Sequence, residues 1–359
     1  MKKYFSRFSF ASVTLFIISL LVYYVSLKNV RVADFINNGI SDLVRMGLAW
    51  LSYPFPFSIF ELLVIFSPLI LIITVIIMIK KGRNTVCKIR SIVTLISVIS
   101  IIFTTYIYTL GIGYHTTTLG KRIGIEEITE VRADELYSTA NTVVEQINQL
   151  ADSLQTDGSQ TVMPYSFETM NEKLMQAYKK MNADFDIVAD FTSRSKPVYF
   201  STVMSDLQIT GIYSFFTGEA NVNIEYPDYH LPATAAHELA HQRGICRENE
   251  ANFVAFLVCI YSDDEYIRYS GYLSLYEELA SALYRTDKTL YYELRSKLSQ
   301  VARSDISAAN AVYNAHKDSI LGKINERLND AYLKANGTEG TVTYGYVVRL
   351  AVAYYRNNE

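Results

Sequence analysis

The chain has 359 residues, half of them apolar, and a formal net charge of −3. The length exceeds one average domain, and with a charge this near neutral no basic face argues for nucleic acid. Three cysteines, Cys87, Cys246 and Cys259, are too few and too scattered for a disulfide framework.

Apolar residues are concentrated in the first third of the chain. Three stretches, at 8–27, 62–79 and 92–113, come close to the roughly twenty residues that cross a bilayer as a helix. Lys2, Lys3 and Arg7 precede the first, as in a signal peptide. Its exit, Tyr24-Val25-Ser26-Leu27-Lys28, has no small-x-small cleavage site, so an uncleaved anchor is expected. The second connection carries Lys80, Lys81, Arg83, Lys88 and Arg90, whereas the longer first connection holds only Lys28, Arg31 and Arg45. Dense positive charge in a short loop belongs in the cytoplasm. The expected protein is therefore a multi-pass plasma-membrane protein with its N-terminus inside. Residues 1–115 form the three-helix membrane region, and 116–359 form an extracytoplasmic domain.

That domain opens with helical periodicity. Ile128, Val131, Leu136, Val143, Ile147, Leu150 and Leu154 recur at helical spacing, and a Thr-Asp-Gly-Ser loop at 156–159 follows. A second helix is expected after Ser166, with Phe167, Met170, Leu174, Tyr178 and Met181 on one face. Segments starting at Pro197 and at Ala220 alternate apolar and polar residues, the period of half-buried strands. From Pro232 the chain reads as helical almost to its end, with breaks near Gly244, 262–264, 285–287 and 336–340. The fold class is α+β, mainly helical with a small sheet.

Chemistry concentrates at His237-Glu238-Leu239-Ala240-His241. Pro232 suits a first helical turn and Gly244 a left-handed stop. Two histidines four residues apart lie about 40° around a helix and one turn along, so both imidazoles can reach one ion. Zinc takes such nitrogens and, in catalytic sites, keeps a position open for water. Glu238 stands where it can accept that water's proton, which is the requirement of metal-assisted peptide hydrolysis. With only five histidines in 359 residues, this pairing is improbable by chance.

A third ligand is required. Arg247 occupies the position where another histidine would complete one known pattern, and a guanidinium cannot bind zinc. The next helix offers Glu248 and Glu250, about 200° apart, so only one can face the metal. Glu248 is the expected ligand, because it shares its face with Asn252, which could orient a ligating histidine.

These residues resemble the gluzincins, in which a His-Glu-x-x-His helix is followed by one beginning Glu-x-x-x-Asp. Here Asn252 stands in place of the Asp, which removes a charge but keeps hydrogen-bonding capacity. More closely, the chain resembles a bacterial family of three-span membrane zincins catalogued as a domain of unknown function. That resemblance rests on Gly-Ile-Gly-Tyr at 111–114, Phe-Thr-Gly-Glu-Ala-Asn-Val-Asn at 216–223, Ala-His-Glu-Leu-Ala-His-Gln-Arg-Gly at 236–244, Arg-Glu-Asn-Glu-Ala-Asn-Phe at 247–253 and Gly-Thr-Val-Thr-Tyr-Gly at 340–345.

The resemblance implies a zincin-like fold, one catalytic Zn²⁺ and a peptide or protein substrate at the outer membrane surface. It also implies an edge strand above the zinc helix that pairs with extended substrate. This role is expected of the 219–225 segment, with Gly218, Glu219, Ala220 and Asn221 as substrate-binding residues. An oxyanion stabiliser is expected too, and Tyr344 in the tail motif is the candidate. His230 and His316 are expected to be structural, and His115 to lie at the membrane surface. Two other readings compete: a non-catalytic receptor or scaffold with a structural zinc, and an intramembrane protease. The polar flanks Asp228, His230, Gln242, Arg243 and Arg247 speak against the latter.

Overall fold

The computed structural model describes residues 6–81, 85–125, 128, 130–337 and 345–358. Contacts divide the chain into two units. One comprises Met1–Thr116 with Ser214–Glu219, and the other Thr117–Tyr213 with Ala220–Glu359.

The first unit contains α1 (Arg7–Lys28), α2 (Val30–Ile36), α3 (Asp42–Ser52), α4 (Ile59–Lys81) and α5 (Thr85–Tyr106). A π-turn and a 3-10 turn extend α5 to His115. Segments Arg7–Lys28, Ile59–Ile77 and Thr85–His115 are long and apolar enough to cross a membrane. Their burial pattern inverts that of a soluble protein. Ser9, Ser12, Ser19 and Ser26 of α1 and Ser97, Ser100 and Thr104 of α5 are buried, while leucines and isoleucines face outward. Small polar residues let the helices approach closely in lipid, where apolar side chains gain nothing by hiding. Ser12, Ser19, Ser26 and Ser97 donate to carbonyls of their own helices, Ser19 to Leu15 O at 2.8 Å and Ser97 to Val93 O at 2.7 Å. Arg45 is fully buried; it pairs with Asp42 and donates to the carbonyls of Asn37, Tyr108 and Thr109.

The second unit contains α6 (Leu119–Arg122), α7 (Ala133–Ala151), β1 (Thr156–Asp157), β2 (Gln160–Thr161), α8 (Phe167–Phe185), β3 (Ser195–Val198) and α9 (Ser201–Asp206). Then come β4 (Gly211–Ser214), β5 (Glu219–Asn223), α10 (His230–Gln242), α11 (Glu248–Ile260), α12 (Glu265–Thr286), α13 (Lys288–Lys297), α14 (Gln300–His316), α15 (Ile320–Ala335) and α16 (Gly345–Asn358). Helices α7 and α8 bury the apolar stripes read from their spacing. Residues Ile128 and Val131 precede α7 rather than belonging to it. Helices α10, α11 and α12 pack in sequence, with α12 also against α7. Leu239, Phe253, Phe256, Leu273 and Leu279 fill the core between them.

The sheet corrects one expectation. Its order is β3-β5-β4, so β5 is the central strand, fully buried along its length, and β4 is the edge. β3 runs parallel to β5, with Ser195 opposite Ala220 and Val198 opposite Asn223. The four-residue connection between β4 and β5 makes a hairpin, and Asn223 N–H donates to Thr210 O at 2.9 Å beyond the strand end. Residues 219–223 therefore have neighbours on both sides and cannot accept a further strand.

Candidate metal centre

Helix α10 begins at His230 with Pro232 in its first turn. It ends in a turn where Gly244, at φ +96°, adopts the left-handed conformation glycine permits. The chain reverses over five residues and enters α11 at Glu248. This helix–turn–helix brings the first turn of α11 against the last two turns of α10.

Three side chains converge there. Glu248 Oε2 lies 3.3 Å from His237 Nε2 and 3.5 Å from His241 Nε2, and all three ligand atoms lie within 4.8 Å of one another. Donors about 2.0–2.1 Å from one tetrahedrally coordinated ion stand about 3.3 Å apart, so the spacing fits a single metal. The two imidazole rings are nearly perpendicular, at 86° with centroids 4.6 Å apart, in a T-shaped arrangement. Ile245 O lies 2.7 Å from His241 Nδ1; an N–H there donates to this carbonyl and leaves Nε2 as a lone-pair donor. Burial alone would lower the His241 pKa, but the Glu248 carboxylate overcomes it and raises the value to about 9. Burial likewise works against ionisation of Glu248, yet the two histidines hold its pKa well below the usual carboxylate range. The trio is an electrostatically coupled site that a dication would satisfy.

Glu250 points elsewhere. Its Oε1 accepts Leu119 N–H at 2.9 Å and pairs with Arg247 at 3.0 Å. The two acids of one helical turn thus serve opposite sides of α11, as the 200° offset requires.

Glu238 is buried, and burial raises its carboxyl pKa to about 6, opposed by the nearby histidines. The backbone N–H of Tyr213 in β4 donates to it. Gly211 in the same strand approaches so closely that an added Cβ would meet Glu238 Oε1 at 2.5 Å. The edge strand therefore lies directly over the carboxyl that adjoins His237 in α10.

A family described as "Protein of unknown function (DUF3810)" matches residues 33–352. The chain belongs to that family. No curated protein and no solved structure matches it.

The remaining site expectations meet mixed outcomes. Glu219 does not face a substrate groove: its two carboxylate oxygens accept Ile59 N–H at 2.9 Å and Phe60 N–H at 2.7 Å, capping α4. A buried anion there satisfies orphan donors of an apolar helix. Gly218, at φ +69°, has Leu48 so close that a Cβ would lie 2.5 Å from Leu48 Cβ. Ala220 is buried in the β5 ladder opposite Ser195, and Asn221 Nδ2 is spent on Ile212 O at 3.1 Å. The edge-strand position expected of Gly218, Glu219, Ala220 and Asn221 is thus corrected: Gly218 lies in the β4–β5 turn and the other three in the central strand β5.

Asn252 donates to Glu278 Oε1 at 3.2 Å; among the described residues no hydrogen bond joins it to either histidine. Glu278, on α12, carries a carboxyl whose pKa burial raises to about 6, opposed by Arg285 and then by His237. The carboxylate beside Asn252 thus comes from a different helix, twenty-six residues further along. Tyr344 lies outside the described residues. His230 Nδ1 meets Thr234 Oγ1 at 2.9 Å. His316 sits between Asp206 and Glu225, and His115 packs edge-on against Tyr23 at 5.6 Å.

Gly211 and Tyr213 were missed by the sequence reading. A signal existed: two short segments separated by a four-residue turn containing Gly218 are a hairpin pattern. Glu278 had no local signal at all.

Proposed function

We propose that this protein is a membrane-anchored zinc peptidase of zincin type. The observation that carries the reading is the convergence of His237, His241 and Glu248 beside the buried carboxyl of Glu238. Two imidazole nitrogens and one carboxylate oxygen are a donor set suited to zinc, and three protein ligands leave a position for reaction. Zinc, when bound, supplies Lewis-acid polarisation of the scissile carbonyl and acidifies water at the site.

Glu238 takes the proton from the attacking water at its carboxylate and returns it to the departing amine nitrogen. The Tyr213 N–H holds that carboxylate in place. Edge strand β4 offers main-chain groups to an extended peptide, which orients the scissile bond without reading its sequence. Glu278 and Asn252 form a polar support behind His237 on the α12 side.

The same reading puts the N-terminus in the cytoplasm and the peptidase unit outside, from the basic residues between 80 and 90. The alternative is a receptor or scaffold holding a structural zinc. Such a site gains nothing from a buried acid beside its ligands, and burying one is costly.

Glu238→Gln tests the choice. It keeps the shape and the Tyr213 contact but cannot accept a proton. Zinc content and melting temperature should match wild type, while peptide hydrolysis should fall about 10²- to 10⁴-fold. Equal cleavage by both proteins would refute the mechanism. Equal complementation of a deletion phenotype would favour the receptor.

A further inference from the structure

A cavity of about 730 Å³ opens in the second unit, lined by Thr210, His230, Glu277, Arg295 and Arg303 with a wall of tyrosines. Its size is that of a ligand cleft. Three of its walls lead to the metal centre. Thr210 directly precedes Gly211, which presses on Glu238. His230 lies seven residues before His237 on α10, about 10.5 Å along the axis and nearly on the same face. Glu277 adjoins Glu278, whose carboxyl feels the charge of His237.

The charge of this cavity is unbalanced. Arg295 on α13 and Arg303 on α14 are exposed, and neither guanidinium makes a hydrogen bond or ion pair with the described residues. Among the described lining residues Glu277 is the one acid; burial lifts its carboxyl pKa to about 7, and even a full negative charge there would not balance two guanidinium groups. Burial keeps His230 neutral, with its pKa pulled down to about 4.

Direction follows from the strand. β4 runs from Gly211 to Ser214, so a peptide added antiparallel to it travels toward Gly211. Its C-terminal portion passes Glu238 and then reaches Thr210 and the cavity.

We propose that this cavity is the specificity site of the enzyme, receiving a carboxylate on the C-terminal side of the scissile bond through Arg295 and Arg303. Guanidinium forks match carboxylates in two-point hydrogen bonds. The carboxylate belongs either to the free C-terminus of a short peptide or to an Asp or Glu side chain. This inference rests on the peptidase reading for its direction, but the cavity and its arginines exist independently of it.

The test uses the full-length, zinc-loaded protein in detergent and three octapeptide libraries. One has free C-termini, one is amidated and free of acidic residues, and one is amidated with a single Asp or Glu. Cleavage is measured with wild type and with an Arg295→Gln/Arg303→Gln double variant whose melting temperature is checked. Binding is measured on Glu238→Gln.

The free-acid library, the acidic library or both should show a KM about tenfold below that of the neutral amides, at nearly unchanged kcat, because the contact is remote from the reacting atoms. The double variant should erase the difference, and the two carboxylate libraries tell the sources apart. Hydrolysis without any carboxylate preference, or with a preference that survives in the double variant, overturns the proposal and leaves the peptidase reading intact. Carboxylate-selective binding without hydrolysis by wild type does the reverse. Neither binding nor hydrolysis defeats both.

Discussion

The backbone of Gly211 lies against the carboxyl of Glu238, leaving no room for a side chain: a Cβ there would stand 2.5 Å from Oε1 and 2.7 Å from Cγ. The neighbouring Tyr213 N–H donates to the same carboxylate. A strand and a helix twenty-seven residues apart thus share one acid, and its position depends on how closely they approach.

Gly211→Ala should move Glu238 without touching a ligand. A displacement near 1 Å at a catalytic group costs on the order of 10²-fold in rate. Zinc content measured on the purified variant should equal that of wild type, while kcat falls. Full activity in the alanine variant would show that the carboxyl has slack, and the proposed positioning by β4 would be wrong.

The two acids of α11 should part company when each is removed. Glu248→Ala takes away one of three donors and should strip most of the zinc in a metal analysis. Glu250→Ala should leave zinc nearly stoichiometric but lower stability by about 1–3 kcal/mol, since the buried Leu119 N–H loses its acceptor. If Glu250→Ala were the variant that lost the metal, the ligand set would need redrawing.

Topology is tested by reporters active only outside the cytoplasm. A fusion after Glu359 should be active and one near Asn84 silent, given the basic cluster around the latter. The opposite pattern would place the second unit inside the cell.

His316 ties the end of α14 to Asp206 at 2.8 Å and Glu225 at 3.3 Å. The hydrogen bond to Asp206, opposed by burial and aided by Glu225, raises its pKa above the usual imidazole value. A histidine whose pKa is raised by folding contributes its full stability below its unfolded value, near 6.5, and loses it as pH climbs through the folded value. The melting-temperature gap between wild type and His316→Gln should therefore be widest below the unfolded value and shrink as pH rises above it. A gap independent of pH would mean that packing, and not charge, holds this corner.

What the sequence determined by itself is local. Apolar runs long enough to span, the stripes of α7 and α8, and the pairing of His237 with His241 all follow from periodicities within one helix. Even the choice of Glu248 over Glu250 is a matter of helical phase, and the structure turns the first toward the histidines and the second toward Leu119. Tertiary structure decided whatever depends on partners distant in the chain. Sequence alternation marks a strand but not its neighbours, so 219–223 read as an edge until its order with β3 and β4 placed it in the middle. Glu219 looked free for a ligand, yet the orphan amides of α4 claim it. Glu278 reaches Asn252 only because α11 and α12 pack side by side. Spacing along a helix is written in consecutive residues, whereas strand order, caps from afar and supporting acids are set by which surfaces meet when the chain folds.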